Sequence, residues 1–264
     1  MALDEAQIER YARHIVLEEI GGVGQGRLLD AKVLVVGAGG LGSPLLMYLA
    51  AAGVGTIGVV DDDAVSLSNL QRQIAHTTDR IGMAKTDSAR QTVADLNPDV
   101  TLVPHPVRMT VDNALELVGG YDIVADGSDN FATRFLVNDA CFFARTPLVA
   151  AAILRFDAQI STYKAHLGGD HPCYRCIFRA PPPAGLIPSC AEGGVLGALA
   201  GAIGSFQAIE VVKEVLGIGD GLSGWLVIFD ALGTTFRKVA VKRDPNCPLC
   251  GTRPEIRDLS PHAA

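Results

Sequence analysis

The sequence predicts an α/β protein. Its expected architecture is a Rossmann-like, mainly parallel sheet with helices on both faces, extended by an antiparallel portion and a structural zinc site. Three observations predict it. Short apolar runs alternate with helical patterns through the first 150 residues or so, the signature of right-handed βαβ units. A glycine loop, Gly37-Ala38-Gly39-Gly40-Leu41-Gly42, joins one such run to a helix. Two C-x-x-C pairs, Cys173/Cys176 and Cys247/Cys250, lie far apart in the last third of the chain.

Taken in order, residues 4–19 read as an amphipathic helix, with Ile8, Tyr11, Ala12, Ile15 and Val16 on one face. Val33 to Val36 is a buried strand, Leu41 to Ala52 a helix and Ile57 to Val60 the next strand. Met83 to Leu96 is helical and stops at Asn97-Pro98. Strands follow at Leu102-Val103, Tyr121 to Ala125 and Leu148 to Ala150, with a helix over Phe131 to Arg145. Ala158 to Tyr163 suits an antiparallel strand. The proline-rich loop 180–185 excludes helix. Gly193 to Leu216 reads as one long helix with a small-residue face of Gly197, Gly201, Gly204 and Ala208. That face suits either core packing or a subunit contact. Strands at Trp225 to Phe229 and Phe236 to Val241 complete the chain. Two coupled regions are expected, 1–165 with the N-terminal helix and the glycine loop, and 166–264 with the two cysteine pairs, the two making one continuous domain.

Composition narrows the function. A net charge of −7 excludes a broad basic surface, so no nucleic-acid partner is expected. The N-terminus has no basic or apolar leader, which predicts a cytoplasmic protein. The apolar stretch 45–60 is broken by Gly53, Gly55 and Gly58. A buried helix and strand explain it better than a membrane span.

The glycine loop sits where helix N–H groups can meet a phosphate, and Asp61 lies 19 residues after Gly42, where a carboxylate can hold ribose hydroxyls. Alone, this pattern suits NAD as well as ATP. The segments Ser68-Asn69-Leu70-Gln71-Arg72-Gln73, Lys85 and Ser128-Asp129-Asn130 fall at or beyond strand C-termini, near the same loop. Two cations and a carboxylate able to hold Mg²⁺ suit a triphosphate better than a dinucleotide. The four paired cysteines suit a closed tetrahedral zinc set, with redox pairs or disulfides as the alternatives. Cys141 lies in an apolar helical stretch and reads as a buried structural thiol. Cys190 precedes a helix, which can activate a thiol; an unreactive loop thiol is the alternative.

The chain resembles the MoeB/ThiF/HesA family, relatives of ubiquitin-activating enzymes. The likeness is carried by Arg10-Tyr11-Ala12-Arg13-His14, Gly37 to Gly42, Asp61-Asp62-Asp63, Ser66 to Gln73, Lys85, Ser128-Asp129-Asn130, Cys173-Tyr174-Arg175-Cys176, Ser189 to Gly194 and Cys247-Pro248-Leu249-Cys250. Resemblance implies that Gly40 and its neighbours contact ATP and that Asp61, with Asp63 close by, holds the ribose end. It implies that Asn69, Arg72 and Lys85 bind the polyphosphate, with Ser68, Leu70, Gln71 and Asn130 around it, and that Asp129 holds Mg²⁺. Arg13 would enter the partner subunit's site, so a homodimer is implied.

The implied substrate is a ubiquitin-like sulfur-carrier protein ending in Gly-Gly, the molybdopterin synthase small subunit or the thiamine carrier. Glu192-Gly193-Gly194 and the small-residue helix favour the molybdopterin branch. Its carboxylate would attack the α-phosphate, giving acyl-adenylate and pyrophosphate. Cys190 falls at the family's reactive cysteine. The chain ends 14 residues after Cys250, so no appended rhodanese domain is expected. Sulfur would therefore come from a separate donor, a cysteine desulfurase or a rhodanese. Two readings from other classes are a nicotinamide-dependent dehydrogenase and a non-catalytic binding module. The first leaves Arg72, Lys85, Asp129 and the cysteines without a role. The second leaves the nucleotide-facing charges without one.

Overall fold

The computed structural model describes residues 3–183 and 190–263. Residues 184–189, which hold the end of the proline-rich loop, lie outside that description, as do the side chains of Cys190 and Ala191. Three short helices open the chain: α1 (Glu5–Arg10), α2 (Ala12–Ile15) and α3 (Gly21–Asp30). The alternating part follows: β1 (Lys32–Val36), α4 (Gly42–Ala52), β2 (Thr56–Val60), α5 (Lys85–Leu96), β3 (Thr101–His105), α6 (Ala114–Gly119), β4 (Ile123–Asp126), α7 (Phe131–Ala144) and β5 (Leu148–Leu154). Then come β6 (Asp157–Tyr163), α8 (Tyr174–Ile177), α9 (Cys190–Gly193), α10 (Gly197–Leu216), β7 (Trp225–Asp230) and β8 (Thr235–Ala240).

The strands form one sheet in the order β3-β2-β1-β4-β5-β6-β7-β8. Pairings from β3 through β5 are parallel. Those from β5 through β8 are antiparallel, as expected for the extension. Alternation along each strand feeds two cores. Val33 and Val35 of β1 face a layer built by α3, α4, α5 and α10. Leu34 and Val36 face the opposite layer, built by α6 and α7. On α4, Leu45, Leu46 and Leu49 are fully buried, each worth about 2 kcal/mol of transfer free energy. The connections from β1 and β4, adjacent parallel strands, leave to opposite faces. That topological switch opens a crevice above their C-terminal ends.

Two helix predictions need correction. The single helix over 4–19 is broken at Tyr11, whose φ of −99° and ψ of 12° end α1. Tyr11 is the buried residue of the expected apolar face, whereas Ile8 is 50% and Val16 74% exposed. The break turns the Tyr11 ring onto Gly53, where a Cβ would lie 2.6 Å from it. The Tyr11 hydroxyl accepts a hydrogen bond from Asn97 Nδ2 at 2.8 Å. The helix expected from Gly193 to Leu216 is also two pieces. Gly194 takes φ +76°, and Val195 bridges to Arg155 before α10 begins at Gly197. The helix α3 was not foreseen, because its sequence GGVGQGRLLD is rich in glycine.

Candidate nucleotide site and cysteine cluster

The crevice at the switch point is a cavity of about 280 Å³. Gly37, Gly39, Gly40, Asp61, Asp63, Arg72, Lys85, Asp129 and Asn130, all predicted from sequence, line it. Each arrives from the C-terminal end of β1, β2 or β4, from the segment between β2 and α5, or, for Lys85, from the first residue of α5. Gly42 sits behind the wall at the start of α4. There a Cβ would lie 1.9 Å from the Gly37 carbonyl oxygen, so only glycine fits.

The loop backbone is tightly held. Gly37 N–H donates to the Val60 carbonyl at 2.8 Å. Ala38 N–H donates to Asp61 Oδ2 at 2.8 Å, and Asp63 N–H donates to Asp61 Oδ1 at 2.9 Å. Gly39 and Gly40 N–H donate to no described group. They are available to an anion at the start of a helix. Asp61 is largely buried and carries Lys85 Nζ at 3.9 Å; Lys85 also pairs with Asp63 at 2.7 Å. Burial raises the Asp61 pKa above its ordinary value, against the opposing pull of Lys85 and the two N–H donors.

Other predicted residues lie apart from the cavity wall. Ser68, Asn69, Leu70 and Gln71 belong to a short turn below it. Asn69 Oδ1 accepts the Ser66 N–H at 3.3 Å, and the Arg72 guanidinium donates to the Ser68 carbonyl at 3.2 Å. Arg13 is exposed on α2, whose next residue, His14, has its Nδ1 3.2 Å from Gln25 Oε1 near the end of α4. There Asn97 donates to the Ala50 carbonyl and Gln25 to the Ala52 carbonyl. Cys190 opens α9, and its side chain lies outside the described part.

Gln73, the last residue of the predicted segment, also lines the wall, and sequence reasoning missed Arg108, Met109, Thr133 and Arg134. Gln73 and Ser128 are buried, and Gln73 Oε1 meets no hydrogen-bond donor among the described residues. Arg134 donates to the Ser128 carbonyl at 2.9 Å and braces the loop that carries Asp129. Asn130 caps α7 by accepting the Thr133 N–H at 2.9 Å. The result is a cavity with several cations, uncommitted N–H groups and carboxylates at its edge. It can neutralise a polyphosphate and hold a divalent ion beside it.

The two cysteine pairs meet on the far side of α7. All four sulfurs lie within 4.8 Å of one another. Measured separations are 3.9 Å for Cys173–Cys176, 3.5 Å for Cys173–Cys247 and 3.4 Å for Cys176–Cys250. Zinc–sulfur bonds of about 2.3 Å in a tetrahedron put sulfurs about 3.8 Å apart. The set can hold a metal and is compatible with a zinc site. Sulfur neighbours, Cys173 foremost, and the Asp244 N–H hold the Cys176 thiol below its ordinary pKa. His171, two residues before the first pair, has its Nδ1 2.7 Å from Ser223 Oγ. Cys141 is buried, and burial pushes its thiol pKa well up, as suits a structural residue. Between the first pair, Arg175 reaches the fully buried Asp139, which also meets His262 Nε2 at 2.8 Å.

Comparison with known proteins agrees with this geometry. The chain is 48% identical over 266 residues to the sulfur carrier protein adenylyltransferase of Thermus thermophilus, covering 100% of this chain and 98% of that protein. It is 49% identical to the SAMP-activating enzyme E1 of Haloferax volcanii, covering 95% and 92%. It is 51% identical to the adenylyltransferase and sulfurtransferase MOCS3 of Sus scrofa, covering 98% of this chain and 56% of that longer protein. Among solved structures, E. coli MccB determined with ATP shares the fold, at TM-score 0.79 and 22% identity, over 91% of this chain and 74% of that one. The ThiF family model matches residues 11–249. With its glycine loop, strand-end charges and paired cysteines in one chain, the protein belongs to the ThiF family and is an adenylyltransferase.

Proposed function

We propose that this enzyme adenylates the C-terminal Gly-Gly carboxylate of a ubiquitin-like sulfur-carrier protein, in the molybdopterin branch. The observation that carries this reading is the convergence of Arg72, Lys85 and Asp129 with the uncommitted Gly39 and Gly40 N–H groups on one cavity. The carboxylate oxygen attacks the α-phosphorus of ATP and the bond to the β-phosphate oxygen breaks, so pyrophosphate leaves. No general base is needed, because the nucleophile is already ionised near neutral pH. Arg72 and Lys85 bind the polyphosphate and neutralise charge on the departing group. Asp129 holds Mg²⁺, which would supply further neutralisation of the phosphates. Asp61 holds the ribose hydroxyls.

Arg13 acts in trans within a homodimer. In its own chain it sits beyond the C-terminal end of α4, an eleven-residue helix about 16 Å long whose other end starts at the glycine loop. The four cysteines hold a structural zinc. Cys190 thiolate is the acceptor of the activated acyl group: it attacks the acyl carbonyl, AMP leaves and a thioester forms. Sulfur then comes from a separate donor of the desulfurase or rhodanese type. The protein works in the cytoplasm.

The test is ATP–pyrophosphate exchange with purified protein, Mg²⁺ and each candidate carrier in turn. Exchange that depends on the molybdopterin carrier is expected. Dependence on the thiamine carrier would move the enzyme to that branch, and exchange with neither carrier would remove the reading. In the same assay, Arg13→Ala and Arg72→Ala proteins are each inactive. Mixing them restores up to about a quarter of the activity if the two residues meet across the dimer, by random re-pairing of subunits.

A further inference from the structure

We propose that His76 is a positioning residue for ATP binding: it locks the Ala38–Gly39 peptide so that the Gly39 N–H faces the phosphates. This rests on ATP being the ligand of the cavity. His76 lies behind the glycine loop and is 5% exposed. Its Nε2 is 2.9 Å from the Ala38 carbonyl oxygen, and its Nδ1 is 2.9 Å from Ser88 Oγ on α5. A carbonyl oxygen can only accept, so Nε2 carries the proton and Nδ1 accepts from the serine hydroxyl. Ser88 is fully buried, and its own carbonyl takes a hydrogen bond from Arg80 at 3.0 Å, so the relay stands on a fixed element.

The consequence follows from peptide geometry. No described peptide bond is cis. In a trans peptide the C=O and the following N–H point in opposite directions. A carbonyl of Ala38 held by His76 therefore turns the Gly39 N–H away from the histidine, toward the cavity that Gly39 lines. Glycine offers little steric resistance to the reverse arrangement, in which the carbonyl would face the phosphates and repel them. The residues that let a phosphate come close thus also permit a peptide flip, and the histidine removes that alternative. Ala38 is clamped from both sides, its N–H by Asp61 at 2.8 Å and its carbonyl by His76. Burial, with Lys85 and Arg80 nearby, lowers the His76 pKa and keeps the ring neutral.

The test compares His76→Leu, His76→Asn and His76→Gln with the wild type. Dissociation constants for ATP and for adenosine are measured, together with KM for ATP and kcat in exchange. A glutamine amide reaches about where Nε2 sits and can donate to Ala38, whereas asparagine reaches only the Nδ1 position. The Leu and Asn variants are expected to weaken ATP binding about tenfold, as for the loss of one well-placed hydrogen bond, and to leave adenosine within about twofold. The Gln variant recovers most of the loss, and the change falls on KM rather than kcat. Parallel loss of ATP and adenosine affinity, or a Gln variant no better than Asn, would overturn the proposal. If the Leu variant does not fold, the Asn–Gln comparison decides alone. A wild type that binds no ATP overturns the functional reading and this proposal together. A wild type that binds ATP with variants equal to it overturns this proposal alone.

Discussion

Asp61 shows what a residue can disclose in sequence and what it cannot. Its distance from the glycine loop predicts that it lies at that loop, because the second strand of such a sheet ends beside the first loop, and the cavity wall includes it. Its hydrogen bond from the Ala38 N–H depends on side-chain direction, which spacing does not encode. Burial raises its pKa above the ordinary 3.8. On acidification Asp61 therefore takes up its proton at a higher pH than an exposed aspartate, and the charged acceptor is lost early. ATP affinity is expected to fall about tenfold as pH drops from about 7 toward that raised value, and Asp61→Asn should flatten the dependence. Calorimetric titration across that range checks it; an unchanged profile in the Asn variant would take Asp61 out of nucleotide binding. Lys85 and Asp129 were legible for the same reason as Asp61, since strand ends converge. Arg134 was not: an arginine one turn into a helix carries the same local pattern whether it braces a loop or faces water.

At the level of elements, the strands and the helices α4, α5 and α7 were readable to within a few residues, because apolar period and stop signals agree there. The failures came where tertiary contact overrode a local pattern. Tyr11 was placed on the expected face, yet its ring seats on Gly53 and ends the helix. In α10 the small-residue face divides. At Gly204 a Cβ would lie 2.3 Å from the Leu41 carbonyl oxygen, and at Gly197 2.3 Å from that of Gln71; at Gly201 nothing lies within 4 Å. Core packing thus explains Gly197 and Gly204. Gly204→Ala is expected to cost about 1–3 kcal/mol by forcing α10 off α4, a typical overpacking penalty. Gly201→Ala should leave stability unchanged or raise it by about 0.5–1 kcal/mol. Thermal melts of the two variants separate the cases. A loss of stability at Gly201 that depends on protein concentration would mean that a second chain packs there.

For the whole molecule, the order of strands was implicit in the βαβ rhythm, whereas the path of the last hundred residues was not. Two C-x-x-C motifs announce a shared site but not what it ties together. The structure shows segments 173–176 and 247–250 brought side by side, with Asp139, Arg175 and His262 joined beneath them. If a zinc ion fastens this end, stripping it with a strong chelator in reducing buffer should lower Tm by about 10 °C or more. Cys247→Ser should do the same. A melting curve indifferent to both treatments would deny the metal a structural role.

The same separation sets a timetable. Seventy residues divide Cys176 from Cys247, and a ribosome adds about 5–20 residues each second. The first two thiols therefore wait about 4–14 seconds before their partners can exist. During that interval an oxidant can join the waiting pair to each other. A Cys173–Cys176 disulfide formed in that interval would remove two of the four sulfurs from the cluster before the second pair is made.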